Sequence, residues 1–290
     1  MDEKLSDLEL RIIKELKKQN ISETELPLVL RNLKSINPIK YNPKKINFPE
    51  RHVKFLVFGD PHIGHMNYRP DIMDKMTKDA KKQHCDFALN AGDTLEGMSG
   101  RDGHIFELYK IGYTAQKKYF DEEFSKFDIL GKDFKVFSIE AQDSHSGWYH
   151  NKANAGVEIG DELEKTNKHY KFIGYDEQDL ILDNGLKLRL RHPGGGTAYA
   201  ISYKLQRYIE SISGGQKPHA VFQGHFHKAD YLFYRNIHSY DVGCLEEQSP
   251  FMKKKGTPAH LGYWIVDMKL NRNKSKLVER VNNQFVPFFE

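Results

Sequence analysis

Lys54-Phe55-Leu56-Val57-Phe58-Gly59-Asp60-Pro61-His62 runs five strand-forming residues into a glycine, then places a carboxylate and an imidazole two positions apart. Three other segments repeat the design: FALNAGD (87–93), LKLRLRHP (186–193) and AVFQGHFH (220–227). Short apolar runs closed by glycine or proline read as strands. Each therefore predicts a strand ending in donor side chains: Asp60 and His62, Asp93, His192, and His225 with His227. If the four strands share one sheet, all six side chains emerge at one edge of it, where open α/β sheets bind ligands.

Carboxylates mixed with imidazoles suit Mn, Fe, Zn or Ni rather than calcium or a thiolate site. In an extended backbone, residues two apart point to the same side, so Asp60 and His62 can chelate one ion, and His225 and His227 repeat that spacing. Gly224 lets the backbone turn closely there. Singly, each histidine is as readily structural as functional; the conjunction of four strand-end fragments carries the metal reading. His65 and His104 fall outside the fragments and read as ordinary loop histidines.

A chain of 290 residues can bury one substantial core with a small appendage. The net charge of +4 is compatible with a phosphate-bearing substrate but too mild to indicate nucleic acid by itself. Cys85 and Cys244 lie far apart and in no CxxC spacing, a pattern that suggests neither a disulfide framework nor a zinc finger. No apolar run approaches the roughly 20 residues of a membrane span, and the charged start MDEKLSDLEL lacks the pattern of a signal peptide. A cytoplasmic, soluble protein without a membrane partner is expected.

Leu5, Leu8, Ile12, Ile13 and Leu16, then Leu28, Val29 and Leu33, predict two amphipathic helices, an appendage suited to packing or homo-oligomer formation. Pro38, Pro43 and Pro49 mark an extended linker without ladder hydrogen bonds, giving boundaries of 1–50 and 51–290. Beyond Val53, β and helical patterns alternate as in a layered α/β domain. Helices are expected near 69–83, as one long aromatic-rich segment over 105–129, and over 156–166, with a strand at KVFSI (135–139). DLILDNGLKLRLR predicts a hairpin with a type I′ turn at Asn184-Gly185. Gly194, Gly195 and Gly196 lead into a predicted helix whose exposed N–H groups can hold a substrate phosphate. YLFYRNIHSYDVG and LGYWIVDMKL read as strands of a second sheet, followed by a short strand near 276–281.

The ordered set D-x-H, G-D, a lone His and G-H-x-H resembles the calcineurin-like metallophosphoesterase superfamily over about residues 53–270. HPGGGTAYAISYKLQRYIES, KPHAVFQGHFHKADY and VGCLEEQSPFMKKKG are similar to a subgroup of uncharacterised phage and prokaryotic phosphoesterases. The resemblance implies a four-layer α/β sandwich, two mixed β-sheets flanked by helices. It also implies two divalent ions, manganese foremost, with Fe, Zn, Ni or Mg as alternatives. One would be held by Asp60, His62, Asp93 and His227, the other by a bridging Asp93, His192, His225 and an amide of a further motif. Ions roughly 3.5–4 Å apart would activate a metal-bound hydroxide for direct attack on phosphorus. The implied activity is phosphoester hydrolysis by a phosphodiesterase or nuclease acting on DNA, RNA or a nucleotide; a small-molecule phosphomonoesterase is the alternative. Lys228, Arg207, Lys253, Lys254 and Lys255 could meet a phosphate backbone, and a solvated charged face explains them equally.

That further motif is where the chain departs from the family. Where G-N-H-(D/E) is expected after KVFSI, the sequence reads Glu140-Ala141-Gln142-Asp143-Ser144-His145-Ser146. In one register Gln142 takes the place of the ligand Asn and Asp143 that of the His near the leaving group. In the other, Ser144 takes the Asn position and His145 the His position. The favoured arrangement has Gln142 or Asp143 touching metal and His145 supplying the proton. A decayed motif would instead leave a metal-binding scaffold or regulator.

Overall fold

In the computed structural model, residues 43–99, 101–141, 159–272 and 276–288 are described. The expected N-terminal helices, with the oligomer role given to them, lie outside those residues, and so do Gln142, Asp143, Ser144 and His145.

Strand β1 (Lys44–Ile46) is followed by β2 (His52–Phe58), and β2 explains why the decisive run is continuously apolar. Val53, Phe55 and Val57 enter one core, whereas Leu56 and Phe58 enter another on the opposite face. A strand covered on both sides loses the alternation of a half-solvated one. β3 (Phe87–Asn90), β4 (Val136–Glu140) and β5 (Tyr170–Tyr175) extend it in parallel. β11 (Gly262–Leu270) and β12 (Val278–Pro287) add antiparallel strands at its other edge, giving the order β12-β11-β2-β3-β4-β5.

The second sheet has the order β1-β6-β7-β8-β10-β9. Its further members are β6 (Glu177–Leu182), β7 (Lys187–Arg191), β8 (Ala220–Gln223), β9 (Ala229–Tyr234) and β10 (Ile237–Val242). The sheets pack face to face through Phe55, Leu89, Leu188, Phe222, Tyr240 and Trp264, among others. Phe55 stacks on Phe87 of its own sheet at 5.2 Å and meets Phe222 of the other edge-on at 5.7 Å. Such pairs add about 0.5–1.5 kcal/mol beyond burial.

Helices α1 (Pro70–Lys82), α2 (Tyr113–Phe124) and α3 (Ile159–Thr166) cover the outer face of the first sheet. In α1, Pro70 starts the helix, Asp71 sits at its positive end and Lys81 and Lys82 at its negative end, while Ile72, Met73, Met76 and Ala80 face the core. α4 (Tyr203–Ser211) covers the second sheet through Leu205 and Ile209, and α5 (Pro250–Lys255) follows β10. The result is the expected sandwich of two mixed six-stranded sheets flanked by helices.

Several local expectations are corrected. The four donor-bearing strands do not share a sheet: β2 and β3 belong to one, β7 and β8 to the other. LGYWIVDMKL joins the first sheet and YLFYRNIHSYDVG the second, and the last strand spans ten residues. Lys44–Ile46, within the proline-marked stretch, pairs in parallel with β6 because Pro43 and Pro49 flank the strand rather than interrupt it. The expected helix over 105–129 breaks into a 3₁₀ turn (His104–Glu107), α2 and a second 3₁₀ segment (Ser125–Leu130). Gly112, at φ 88°, stops helical continuity before Tyr113. In the hairpin, Gly185 has positive φ (95°) but Asn184 does not, so the connection is not type I′. The glycines at 194–196 precede α4 by several residues and do not cap it.

Candidate metal centre

Asp60, His62, Asp93, His225 and His227 adopt positive φ values of 49°, 51°, 49°, 77° and 52°. They are five of the nine non-glycine residues in that region among the described residues. Each such conformation costs about 1 kcal/mol or more and persists where surrounding structure imposes it. Asp60 and His62 therefore converge through left-handed turns, not through the extended spacing expected from sequence.

The turns interlock across both sheets. Asp60 N donates to Gly92 O (3.0 Å), His62 N to Asp93 O (3.1 Å) and Gly224 N to Arg191 O (3.0 Å). His225 N donates to both Asp60 carboxylate oxygens, at 2.9 and 2.8 Å. His192 Nδ1 donates to Ala91 O at 2.8 Å, which directs Nε2 inward. The two glycines have steric reasons to be there. A Cβ on Gly92 would lie 2.5 Å from His192 Nδ1, and one on Gly224 would lie 2.7 Å from Ala91 O.

All six sequence-derived donors are brought together. Asp60, His62 and His227 form one group and Asp93, His192 and His225 another, with potential ligand atoms in each within 4.8 Å of one another. Asp93 Oδ2 stands between them, 3.2 Å from His192 Nε2 and 3.8 Å from His62 Nε2.

Divalent ions fit this donor set. His62 Nε2 and His227 Nε2 are 3.1 Å apart. Two imidazoles on a common ion, each about 2.05 Å from it, have nitrogens about 2.9–3.3 Å apart at octahedral to tetrahedral angles. Buried His192 Nε2 faces Asp93 Oδ2 at 3.2 Å; burial opposes protonation, but the Asp93 and Asp60 carboxylates push the imidazole up to about 9, and a cation at this point would take the place of that proton. Burial pushes the Asp60 carboxyl up to about 7, with His192 opposing, and holds His225 at about 4, reinforced by His192. Burial also keeps His227 below the usual imidazole range. His225 and His227 are thus neutral donors near pH 7, and a cation beside Asp60 would restore its carboxylate.

Sequence reading missed the layer behind these donors. Glu96 Oε2 lies 2.8 Å from His62 Nδ1, and its Oε1 lies 2.6 Å from His104 Nε2. Glu246 Oε1 lies 3.0 Å from His65 Nδ1, while its Oε2 is 3.8 Å from both His62 Nε2 and His227 Nδ1. His65 and His104 are accordingly buried members of the site's support, which corrects their reading as ordinary loop histidines. Glu96, three residues beyond Asp93 on the same turn, was the available signal; Glu246 had none.

The donors open into a cleft of about 1110 Å³, whose wall includes Arg101, Arg191, Gly195, Phe251 and Lys255. Gly194, Gly195 and Gly196 do line it, and Gly195 O accepts from His225 Nε2 at 2.7 Å. Lys228 is buried and donates to Ala198 O (2.7 Å), so it is not a groove residue. Of Lys253, Lys254 and Lys255, the last lines the cleft; Arg207 pairs with Tyr203 on the surface. Among the described residues no helix is long and apolar enough to cross a membrane.

No family model matches the chain. A curated relative, tyrosine-protein phosphatase CDC14 of Saccharomyces cerevisiae, is 24% identical over 127 residues, and the match spans 37% of this chain and 23% of that protein. Similar solved structures include an archaeal phosphodiesterase (12% identity, 81% of this chain and 100% of that one, TM-score 0.43). Others are GAP50 of the Plasmodium inner membrane complex (10%, 82% and 85%, 0.48) and zinc-complexed Vps29 of Entamoeba histolytica (13%, 81% and 99%, 0.40). With two mixed six-stranded sheets flanked by helices, and D-x-H, G-D, His and G-H-x-H at the ends of β2, β3, β7 and β8, the chain has a layered α/β sandwich whose donor order resembles that of the calcineurin-like metallophosphoesterases.

Proposed function

We propose that the protein hydrolyses a phosphodiester with the help of two divalent ions, manganese foremost. The observation that carries this reading is the position of Asp93 between two three-residue donor groups, a carboxylate able to serve both. Asp60, His62, His227 and Asp93 would hold one ion, and Asp93, His192 and His225 the other. The ions would supply Lewis-acid polarisation of the phosphoryl group and acidification of water.

The chain's own residues then have separate tasks. Glu96 fixes the ring of His62, and Ala91 O fixes that of His192, so each presents Nε2 to the pocket. Arg191 and Lys255 on the cleft wall complement the phosphate's charge. Gln142 or Asp143 would complete the ligand set and His145 would protonate the departing alkoxide, roles assigned from their place in the sequence after β4. A diester is favoured over a monoester because a cleft of about 1110 Å³ exceeds what a single phosphate needs, and nucleic acid or a nucleotide is the substrate class proposed. The altered GNH(D/E) motif supports one other reading, a metal-binding scaffold with little turnover.

Purified protein with Mn²⁺ is expected to hydrolyse bis-p-nitrophenyl phosphate, and His225→Ala to abolish the reaction. Wild-type protein that binds Mn²⁺ yet turns over neither diester, monoester nor DNA would favour the scaffold. Unchanged activity in His225→Ala would refute the site.

A further inference from the structure

Phe251 sits oddly for a phenylalanine. It is 44% exposed and is the one aromatic carbocycle among the described residues lining a cleft rich in histidines, carboxylates and cations. Its ring is held in place. The Arg101 guanidinium carbon lies 5.0 Å from the ring centroid, within cation–π range, and Lys255 Nζ lies 5.9 Å from it. Arg101 is fixed in turn by a two-pronged pairing with Glu107, at 3.0 and 2.6 Å.

The backbone under the ring is equally defined. Ser249 Oγ accepts from Met252 N (3.3 Å), Gly256 closes the helix in the left-handed region, and Gln248 Nε2 donates to Thr257 O (2.8 Å). A few residues upstream, Leu245 N donates to Asp60 O (3.1 Å), which ties the same segment to the donor turns. An aromatic ring so placed is an ordered feature of the cleft, and its chemistry is that of a stacking surface.

We propose that Phe251, positioned by Arg101, is the shelf on which the base of a nucleotide-type substrate stacks while its phosphate faces the metal donors. This rests on the phosphoester reading above and narrows it. Sugar and alkyl phosphates carry no flat π surface, whereas a nucleotide carries one separated from phosphorus by a ribose. Every base offers a π face, so the shelf confers preference for nucleotides without preference among bases. The surrounding cations favour the same ligand, since Arg101 and Lys255 also attract the anionic backbone.

The test is calorimetric titration of the Mn²⁺-loaded full chain with AMP, ribose 5-phosphate and phenyl phosphate. Wild-type protein is expected to bind AMP about ten-fold more tightly than ribose 5-phosphate, within the range of base–aromatic stacking. Phe251→Leu, which keeps an apolar side chain but removes the ring, should bring the two ligands within about two-fold, and Phe251→Trp should preserve the preference. No preference in wild type, or a preference that survives in Phe251→Leu, overturns the shelf. A loss in Phe251→Leu that falls on phenyl phosphate as heavily as on AMP also overturns it, pointing to an aryl phosphate. Should that variant not fold, wild-type protein with ¹³C-labelled phenylalanine decides: AMP, but not ribose 5-phosphate, must shift a Phe ring signal. Lost AMP preference with diester turnover intact removes the shelf alone. Absent turnover with AMP preference intact removes the hydrolytic reading alone.

Discussion

Replacing Gly224 by alanine would insert one methyl group where both sheets deliver their donors. The new Cβ would lie 2.7 Å from Ala91 O, 3.0 Å from Asp60 Oδ2 and 3.1 Å from His192 Nδ1. Carbon–oxygen contacts rarely close below about 3.3 Å, so the carbonyl or the turn must retreat by roughly 0.5 Å. Ala91 O accepts from His192, and Asp60 Oδ2 accepts from His225 N, so the displacement reaches donors of both groups. Overpacking of this kind costs about 1–3 kcal/mol, and loosening the supports of metal ligands lowers affinity about 10–100-fold.

Mn²⁺ titration calorimetry and urea unfolding of the same preparation separate the two effects. Gly160→Ala is the control: its Cβ would lie 2.2 Å from Cδ2 of the Phe172 ring, so it should lose stability while Mn²⁺ affinity stays at the wild-type value. Wild-type Mn²⁺ affinity in Gly224→Ala, or an equal loss in Gly160→Ala, would refute the reasoning.

Glu96→Gln should lower Mn²⁺ affinity about 10–100-fold while unfolding remains cooperative, because it weakens the partner of His62 Nδ1; an unchanged calorimetric isotherm would contradict this. Asp241, pushed up to about 7 by burial despite a hydrogen bond from Gln223, should make stability pH-dependent. A carboxyl raised above its unfolded value of 3.8 contributes fully below that value, and the contribution is lost as pH rises through about 7. Asp241→Asn should therefore gain on wild type across that window by up to about 4 kcal/mol, read from urea midpoints at pH 4 and pH 8. Arg189→Met strands Asp179, which Arg189 pairs at 2.6 and 3.0 Å in the interior. The expected loss is about 3 kcal/mol, the low end for a broken buried pair because Lys187 also lies 3.0 Å from Asp179; a loss below experimental error would count against it.

The six donors were legible because each ends a short apolar run at a glycine or proline, so sequence alone located a strand end and a ligand together. Which sheet each strand joins was not legible. Strands buried on both faces carry no alternation to reveal partners, and β2 and β8 look alike until Phe55 is seen against Phe222 across the interface. The left-handed turns of Asp60 and His62 were hidden for another reason: they go with tertiary hydrogen bonds, which Asp60 N and His62 N donate to Gly92 O and Asp93 O and which the Asp60 carboxylate accepts from His225 N. The break in the 105–129 segment did carry a sign, Gly112, which aromatic periodicity on either side outweighed. Glu246 matters through partners distant in sequence and could not be read locally, and His104 meets Glu96 eight residues away across an irregular loop whose course no periodicity reveals.

Because Asp60, His62 and Asp93 ride on one sheet and His192, His225 and His227 on the other, neither half of the sandwich owns a complete site. The donor cluster comes into being only when the second half of the chain has docked on the first. Metal uptake should then mark the last stage of folding, and bound ions would act as a rivet between the sheets. A cation that stabilises the closed sandwich slows its opening more than it hastens its assembly. Unfolding rate, more than folding rate, is where the presence of metal should be felt.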